Sequence, residues 1–177
     1  MTYKESLIEA MGFLARQDKT IFLGQEAYHF YGTMIKVPKE KIIDMPIMED
    51  SQMGISIGLS LNGFVPVSLY TRMDFLILAL NQLINHLDKI KSMSDGQFKP
   101  KVIIRTVIGE TKPLHAGPQH TQDFTNILAL SLSSVIIVRL EHTNEIIDCY
   151  RSCYEKVESG QVSGAILIET RDLYNEK

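Results

Sequence analysis

Phe64-Val65-Pro66-Val67-Ser68-Leu69-Tyr70 and Lys101-Val102-Ile103-Ile104-Arg105-Thr106-Val107 are two apolar runs separated by a helical pattern from Asp74 to Met93. Neither run alternates apolar with polar residues, and that is the pattern of a strand covered on both faces. A strand, a helix and a second such strand make a right-handed parallel crossover. The same alternation continues outward. Upstream, Tyr3 to Arg16 carries Leu7, Ile8, Met11 and Leu14 at helical spacing, Thr20 to Gly24 is a β-type run, and Lys41 to Asp44 is another, closed by Pro46. Asp50 to Asn62 reads as a helix with small and apolar residues nearly all round (Met53, Gly54, Ile55, Ile57, Gly58, Leu61), which predicts deep burial. Downstream, Gln122 to Leu132 and Asn144 to Glu158 are helical, and Ser134 to Leu140 and Gly164 to Glu169 are strands. The expectation is an α/β fold: a mostly parallel sheet of about six strands sandwiched by helices. No repeat or linker divides residues 1–177, so one domain is expected.

Composition narrows the function classes. The chain is 45% apolar and 22% charged with a formal charge of −3, so it has no global basic field to hold nucleic acid. No apolar run reaches the roughly 18–20 residues of a bilayer span. Near the first residue, Glu5 stands where a secretory leader has basic and then apolar residues. The two cysteines, Cys149 and Cys153, lie four apart in a helical pattern and suit neither a disulfide framework nor a zinc site. A reducing cytoplasm, with no membrane and no nucleic-acid partner, is the expectation.

Open parallel sheets bind ligands beyond the carboxyl ends of their strands. Four loops there hold chemistry-bearing residues: Gly24 to Gly32, Asp44 to Asp50, Tyr70 to Phe75, and Ile108 to Gln122. Each has an ordinary structural reading beside the functional one. Glu49 and Asp50 precede a helix, where capping and the dipole favour carboxylates. Phe75 opens an amphipathic helix, and His120 stands in a loop. The chain has no dinucleotide G-x-G-x-x-G, no P-loop, no G-x-S-x-G elbow and no H-E-x-x-H. If it uses a phosphate-bearing cofactor, another polypeptide is expected to grip the phosphate.

At these same loops the sequence resembles a known family. Gly24-Gln25-Glu26 with Tyr31-Gly32, Asp44-Met45-Pro46-Ile47-Met48-Glu49, and Ala79-Leu80-Asn81-Gln82-Leu83-Ile84-Asn85 resemble successive motifs of the beta subunits of 2-oxoacid dehydrogenases. Met93-Ser94-Asp95-Gly96 and Pro118-Gln119-His120-Thr121-Gln122 complete the series in the same order. The resemblance implies the pyrimidine-binding domain of a transketolase-like, thiamine-diphosphate-dependent enzyme. It implies that Glu49 hydrogen-bonds a ring nitrogen of the aminopyrimidine, that Phe75 stacks on that ring, and that His120 faces the reacting centre. Glu26 and Gln119 are implied to line the same pocket.

The family's second, C-terminal domain is expected to be absent here, and the G-D-G motif that holds the cofactor's metal is absent, as it is in the family's beta subunits. The resemblance therefore implies a diphosphate-binding alpha-type partner that holds Mg2+, no metal on this chain, and a homodimer or heterotetramer. It implies carbon–carbon cleavage of a 2-oxo acid or ketose with transfer of the acyl or aldehyde unit. The alternatives are a split transketolase-like or specialised synthase subunit and a non-catalytic interaction domain. Arg72, Asp74 and Lys112 near the pocket would favour a polar or phosphorylated donor, as the transketolase-like or synthase alternative requires.

Overall fold

The computed structural model describes residues 1–176. Thr2 starts helix α1 (Tyr3–Ala15): its hydroxyl accepts from the Glu5 N–H while the Glu5 carboxylate accepts from the Thr2 N–H. Such a reciprocal pair satisfies two donors that a helix start leaves bare. The strands are β1 (Thr20–Gly24), β2 (Ile42–Asp44), β3 (Val65–Tyr70), β4 (Val102–Ile108), β5 (Val135–Arg139) and β6 (Gly164–Thr170). They form one sheet in the order β2-β1-β3-β4-β6-β5, and every neighbouring pair is parallel. The predicted α/β class is the observed one.

Alternate residues of each strand feed opposite faces. On one face Phe22, Val67, Ile103 and Leu167 meet Leu7, Met11 and Leu14 of α1 and Ile146, Tyr150 and Val157 of helix α6 (Ile146–Glu158). On the other, Ile104, Ile166 and Ile168 meet Met53 and Ile57 of helix α2 (Glu49–Leu61) and Leu128 of helix α5 (Thr125–Ser131). Among the described residues no helix is long and apolar enough to cross a membrane.

Three sequence expectations are corrected. The stretch 74–93 is not one regular helix: it runs as α3 (Met73–Leu76), a 3-10 turn (Ile77–Ala79), a π-helical segment (Gln82–Leu87) and α4 (Ile90–Met93). The π-helical segment closes at Asp88, whose N–H reaches back to the Leu83 carbonyl at 3.0 Å. That widened turn carries its carboxylate inward, where it accepts from the backbone N–H groups of Ser133 (2.8 Å) and Ser134 (2.6 Å). Burial alone would raise the Asp88 carboxyl, but hydrogen bonds from Lys89, Ser133 and Ser134 hold it below the ordinary range. Second, α2 is buried along one side only, with Ile55 at 44% and Leu61 at 41% exposure. Third, the helix expected from Gln122 begins at Thr125, because the Asp123 carboxylate accepts from the Thr125 N–H at 2.9 Å.

Candidate active site

From β1 the chain reaches β2 on one side and, through α2, β3 on the other, so the sheet order reverses at β1. That is the switch point where parallel sheets open a crevice. A cavity of about 570 Å³ lies there, lined by residues that follow β1 (Gln25, Glu26), β2 (Ile47, Glu49), β3 (Thr71, Arg72, Phe75) and β4 (His120), with Phe30 and Tyr31.

Each loop is fixed by identifiable contacts. After β1, the Ala27 N–H donates to Asp44 Oδ1 at 2.8 Å, tying this loop to the end of β2. At Gly24 a Cβ would stand 2.4 Å from the Leu69 carbonyl, so β1 and β3 need glycine to approach this closely at the crevice. Glu49 opens α2, and that helix start is pinned to β3: the Tyr70 hydroxyl donates to the Glu49 carbonyl (3.1 Å), and the buried Gln52 amide donates to Ser68 Oγ (3.0 Å) and the Leu69 carbonyl (2.9 Å). Burial pushes the Tyr70 phenol well above its ordinary value, so it stays a donor. The side chain of Glu49 is thus presented at the cavity by a helix end that cannot drift.

Phe75 and His120 come from different loops and meet edge to face, with ring centroids 5.6 Å apart and planes at 85°. Their loops are joined at Asp74, whose Oδ1 accepts from the Gln122 side-chain amide at 2.8 Å, and the His120 loop is closed on itself by the Gly109 N–H donating to the His120 carbonyl at 2.9 Å. A Cβ at Gly109 would lie 2.0 Å from that carbonyl oxygen, so only glycine allows this pairing. Beside it Arg72 Nη1 donates to Glu110 Oε2 at 2.9 Å, and this bond holds the Glu110 carboxyl below its usual range. Asp172 anchors the same loop from outside by accepting from the N–H groups of Thr111 (2.8 Å) and Lys112 (3.2 Å).

The cavity brings together Glu26, Glu49, Phe75 and His120. Gln119 is a correction: it is exposed and outside the lining, and the loop's inward amide is that of Gln122. Sequence reasoning also missed a buried cluster beneath the cavity. Arg105 pairs with Glu169, both fully buried, through Nε and through Nη2 (2.9 Å), and its Nη1 donates to Thr33 Oγ1 at 2.8 Å. The hydroxyls of Tyr150 and Tyr174 both donate to Glu169. Burial, then the Glu169 charge, pushes both phenols well above their ordinary value. Arg105 also lies 4.6 Å from the centroid of the Phe30 ring, which forms part of the cavity wall. A signal was present, because an arginine inside a strand covered on both faces requires a buried counter-charge. Among the described residues no three His, Cys, Asp or Glu side chains converge as metal ligands.

The fold is the one seen in a solved split-gene transketolase, an inactive beta4 tetramer: the TM-score is 0.70 at 18% identity, over 97% of this chain and 51% of that one. Within that fold the chain is a homologue of pyruvate dehydrogenase E1 component beta subunits. It is 33% identical over 127 residues to the protein of Gracilaria tenuistipitata var. liui, a stretch of 67% of this chain and 38% of that protein. It is 34% identical over 127 residues to the chloroplastic beta-4 subunit of Oryza sativa subsp. japonica, covering 67% of this chain and 30% of the other. With the mitochondrial subunit of Saccharomyces cerevisiae it shares 30% over 134 residues, 71% of this chain and 36% of that one. The match thus spans between 30% and 38% of these curated relatives' length. No protein-family model matches the chain.

Proposed function

We propose that this chain forms the aminopyrimidine side of a thiamine-diphosphate-dependent site that cleaves the bond beside a carbonyl of a 2-oxo acid or ketose. The site is complete only with a diphosphate-binding alpha-type chain, which holds Mg2+. The observation that carries this reading is one cavity at the switch point in which Glu49, Phe75 and His120 converge from three loops.

The residues present fit the cofactor: an aromatic ring for a heterocycle, a carboxyl beside it for a ring nitrogen, and an imidazole at the ring's edge. When bound, thiamine diphosphate supplies the carbanion character that the carbon–carbon cleavage requires. Glu49 would hold the ring nitrogen through a hydrogen bond to its carboxyl, and so steer where the ring carries its protons. Phe75 would stack on the heterocycle, and its edge-to-face contact with His120 orients the imidazole. His120 presents a ring nitrogen that can give or take a proton beside the reacting centre. Phe30 gives the cavity a buried apolar wall, while Ile47 and Leu78 are largely exposed in this chain and would keep water out once the partner chain covers them. The homology to E1 beta subunits supports the 2-oxo acid over the ketose. A cytoplasmic location belongs to the same proposal, supported by free thiols at Cys149 and Cys153, the latter pushed up to about 11 by burial.

Co-expression with the alpha-type chain and a donor-cleavage assay test the reading. Glu49→Gln lowers turnover of the assembled enzyme by at least about a hundredfold, the scale of a lost acid–base group. An unchanged rate removes Glu49 from the mechanism. Calorimetry sees thiamine diphosphate bind the assembly and not the isolated chain; tight binding by the chain alone refutes the shared site.

A further inference from the structure

Arg72 is the one permanently cationic side chain among the described residues that line the cavity. A guanidinium carries five N–H donors, yet among the described residues Arg72 makes a single side-chain hydrogen bond, to Glu110. The group is nonetheless held in place. It lies 5.6 Å from the centroid of the Tyr31 ring, and the Tyr31 hydroxyl donates to the Thr71 carbonyl at 2.8 Å. Arg171 lies 5.3 Å from the same ring, so two guanidinium groups flank one tyrosine, with the Glu110 carboxylate bound to one of them. The Arg171 Nε is buried without a partner. At Gly109 a Cβ would come within 2.7 Å of Arg72 Nη1, so the backbone leaves room for this guanidinium. A cation at 15% exposure, oriented by a ring and a carboxylate and keeping free donors beside a cavity, is arranged to receive an anion.

We propose that Arg72 anchors a second anionic group of the donor substrate, a distal carboxylate or a phosphate, which stays on the substrate through the reaction. This rests on reading the cavity as the donor site. The retained group is specified by energetics. A cation paired with a carboxylate that departs as carbon dioxide would stabilise the ground state more than the transition state and slow the step. An anion that is not lost gains the same attraction in both states, and the binding it supplies selects the donor. Arg72 is therefore a specificity-determining residue, and Glu110 and Tyr31 position it.

The test uses the assembly of this chain with its diphosphate-binding partner and three donors: pyruvate, 2-oxoglutarate (distal carboxylate) and xylulose 5-phosphate (phosphate). The wild type favours one of the two doubly functional donors over pyruvate, which identifies the anion. Arg72→Met lowers the kcat/KM of that donor relative to pyruvate by about tenfold to a hundredfold, the scale of a charged hydrogen bond. Arg72→Lys recovers part of the ratio. A loss shared equally by all donors marks a structural role and overturns the proposal, as does a wild-type preference for pyruvate. Calorimetric titration of the same assembly with 2-oxoglutarate and with inorganic phosphate gives a readout besides turnover. Anion binding that depends on Arg72, without cleavage of any donor, keeps the anchor and overturns the thiamine reading. Cofactor binding and cleavage with ratios indifferent to Arg72 overturn the anchor alone. Neither turnover nor Arg72-dependent binding overturns both.

Discussion

Arg105–Glu169 and Arg72–Glu110 join the same two residue types, yet the first pair is fully buried on both sides while the second keeps 15% and 32% of its side chains exposed. In the buried pair the Glu169 carboxylate is saturated by four bonds, two from Arg105 and two from tyrosine hydroxyls, and Arg105 Nη1 donates to Thr33 Oγ1. In the open pair one bond is made and the rest of the guanidinium is left at a cavity. Saturation makes a scaffold, and incompleteness makes a site. The two are joined by the loop between them. Glu26, Phe30 and Tyr31 all have positive φ (52°, 21° and 57°), and all three line the cavity. Such backbone costs about 1–3 kcal/mol per residue and persists only where the surroundings overdetermine it. Arg105 supplies that restraint from beneath, through the Phe30 ring and the Thr33 hydroxyl, which in turn donates to the Phe30 carbonyl at 2.7 Å.

The comparison breaks most readily at the buried pair. Arg105→Met leaves Glu169 charged and unpaired in the core, and urea unfolding should show a loss of about 3–5 kcal/mol. Arg105→Met combined with Glu169→Leu should recover only part of that loss, because the unpaired charge is gone but the buried hydroxyls of Tyr150 and Tyr174 lose their acceptor. A single variant that loses less than about 1 kcal/mol would mean that the pair is not a scaffold. Should the double variant recover stability but lose the left-handed backbone at Tyr31, seen by NMR chemical shifts, the role of Arg105 is positional.

Gly109→Ala acts between the two regions and should have an intermediate effect. The added methyl group meets the His120 carbonyl at 2.0 Å and Arg72 Nη1 at 2.7 Å, and the first of these is backbone that cannot swing away. Overpacking of this kind costs about 1–3 kcal/mol. The sharper expectation is local: the imidazole resonances of His120 shift while those of His142, in the β5–α6 connection, do not. Unmoved His120 resonances would show that the loop has slack the close approach denies.

How much of this was legible in sequence follows from the range of each interaction. Strands such as Ile103–Ile104 and Ile166–Leu167 are apolar on successive residues, which is a local signal of a sheet covered on both faces, and the sheet was readable from it. The loops that carry Glu49, Phe75 and His120 follow from strand order alone, since they sit at carboxyl ends. The π-helical interruption was not readable, because the serines that draw Asp88 inward lie 45 and 46 residues away. Arg105 and Glu169 are 64 residues apart, and neither marks its partner. Gln119 and Gln122 share one loop and one side-chain chemistry. Asp74 decides which of them turns inward, and its contact spans 48 residues.

The smallest effect belongs to the open pair. Glu110→Gln should cost at most about 1 kcal/mol near neutral pH, since a pair this exposed is weakened by solvent and salt. Its pH dependence has a definite sign. The Arg72 hydrogen bond lowers the Glu110 carboxyl from its ordinary value of 4.5, so the folded state binds this proton less readily than the unfolded chain. The pair's contribution is therefore fully present above that ordinary value and disappears as the pH falls through the lower, folded one. Unfolding free energies of wild type and Glu110→Gln, measured from pH 7 down to pH 3, should converge at the acid end, and high salt should narrow the gap at pH 7. A difference that persists undiminished in both acid and salt would mean that Arg72–Glu110 behaves like Arg105–Glu169. The distinction between a saturated pair and an available one would then fail at the side chain on which the substrate proposal rests.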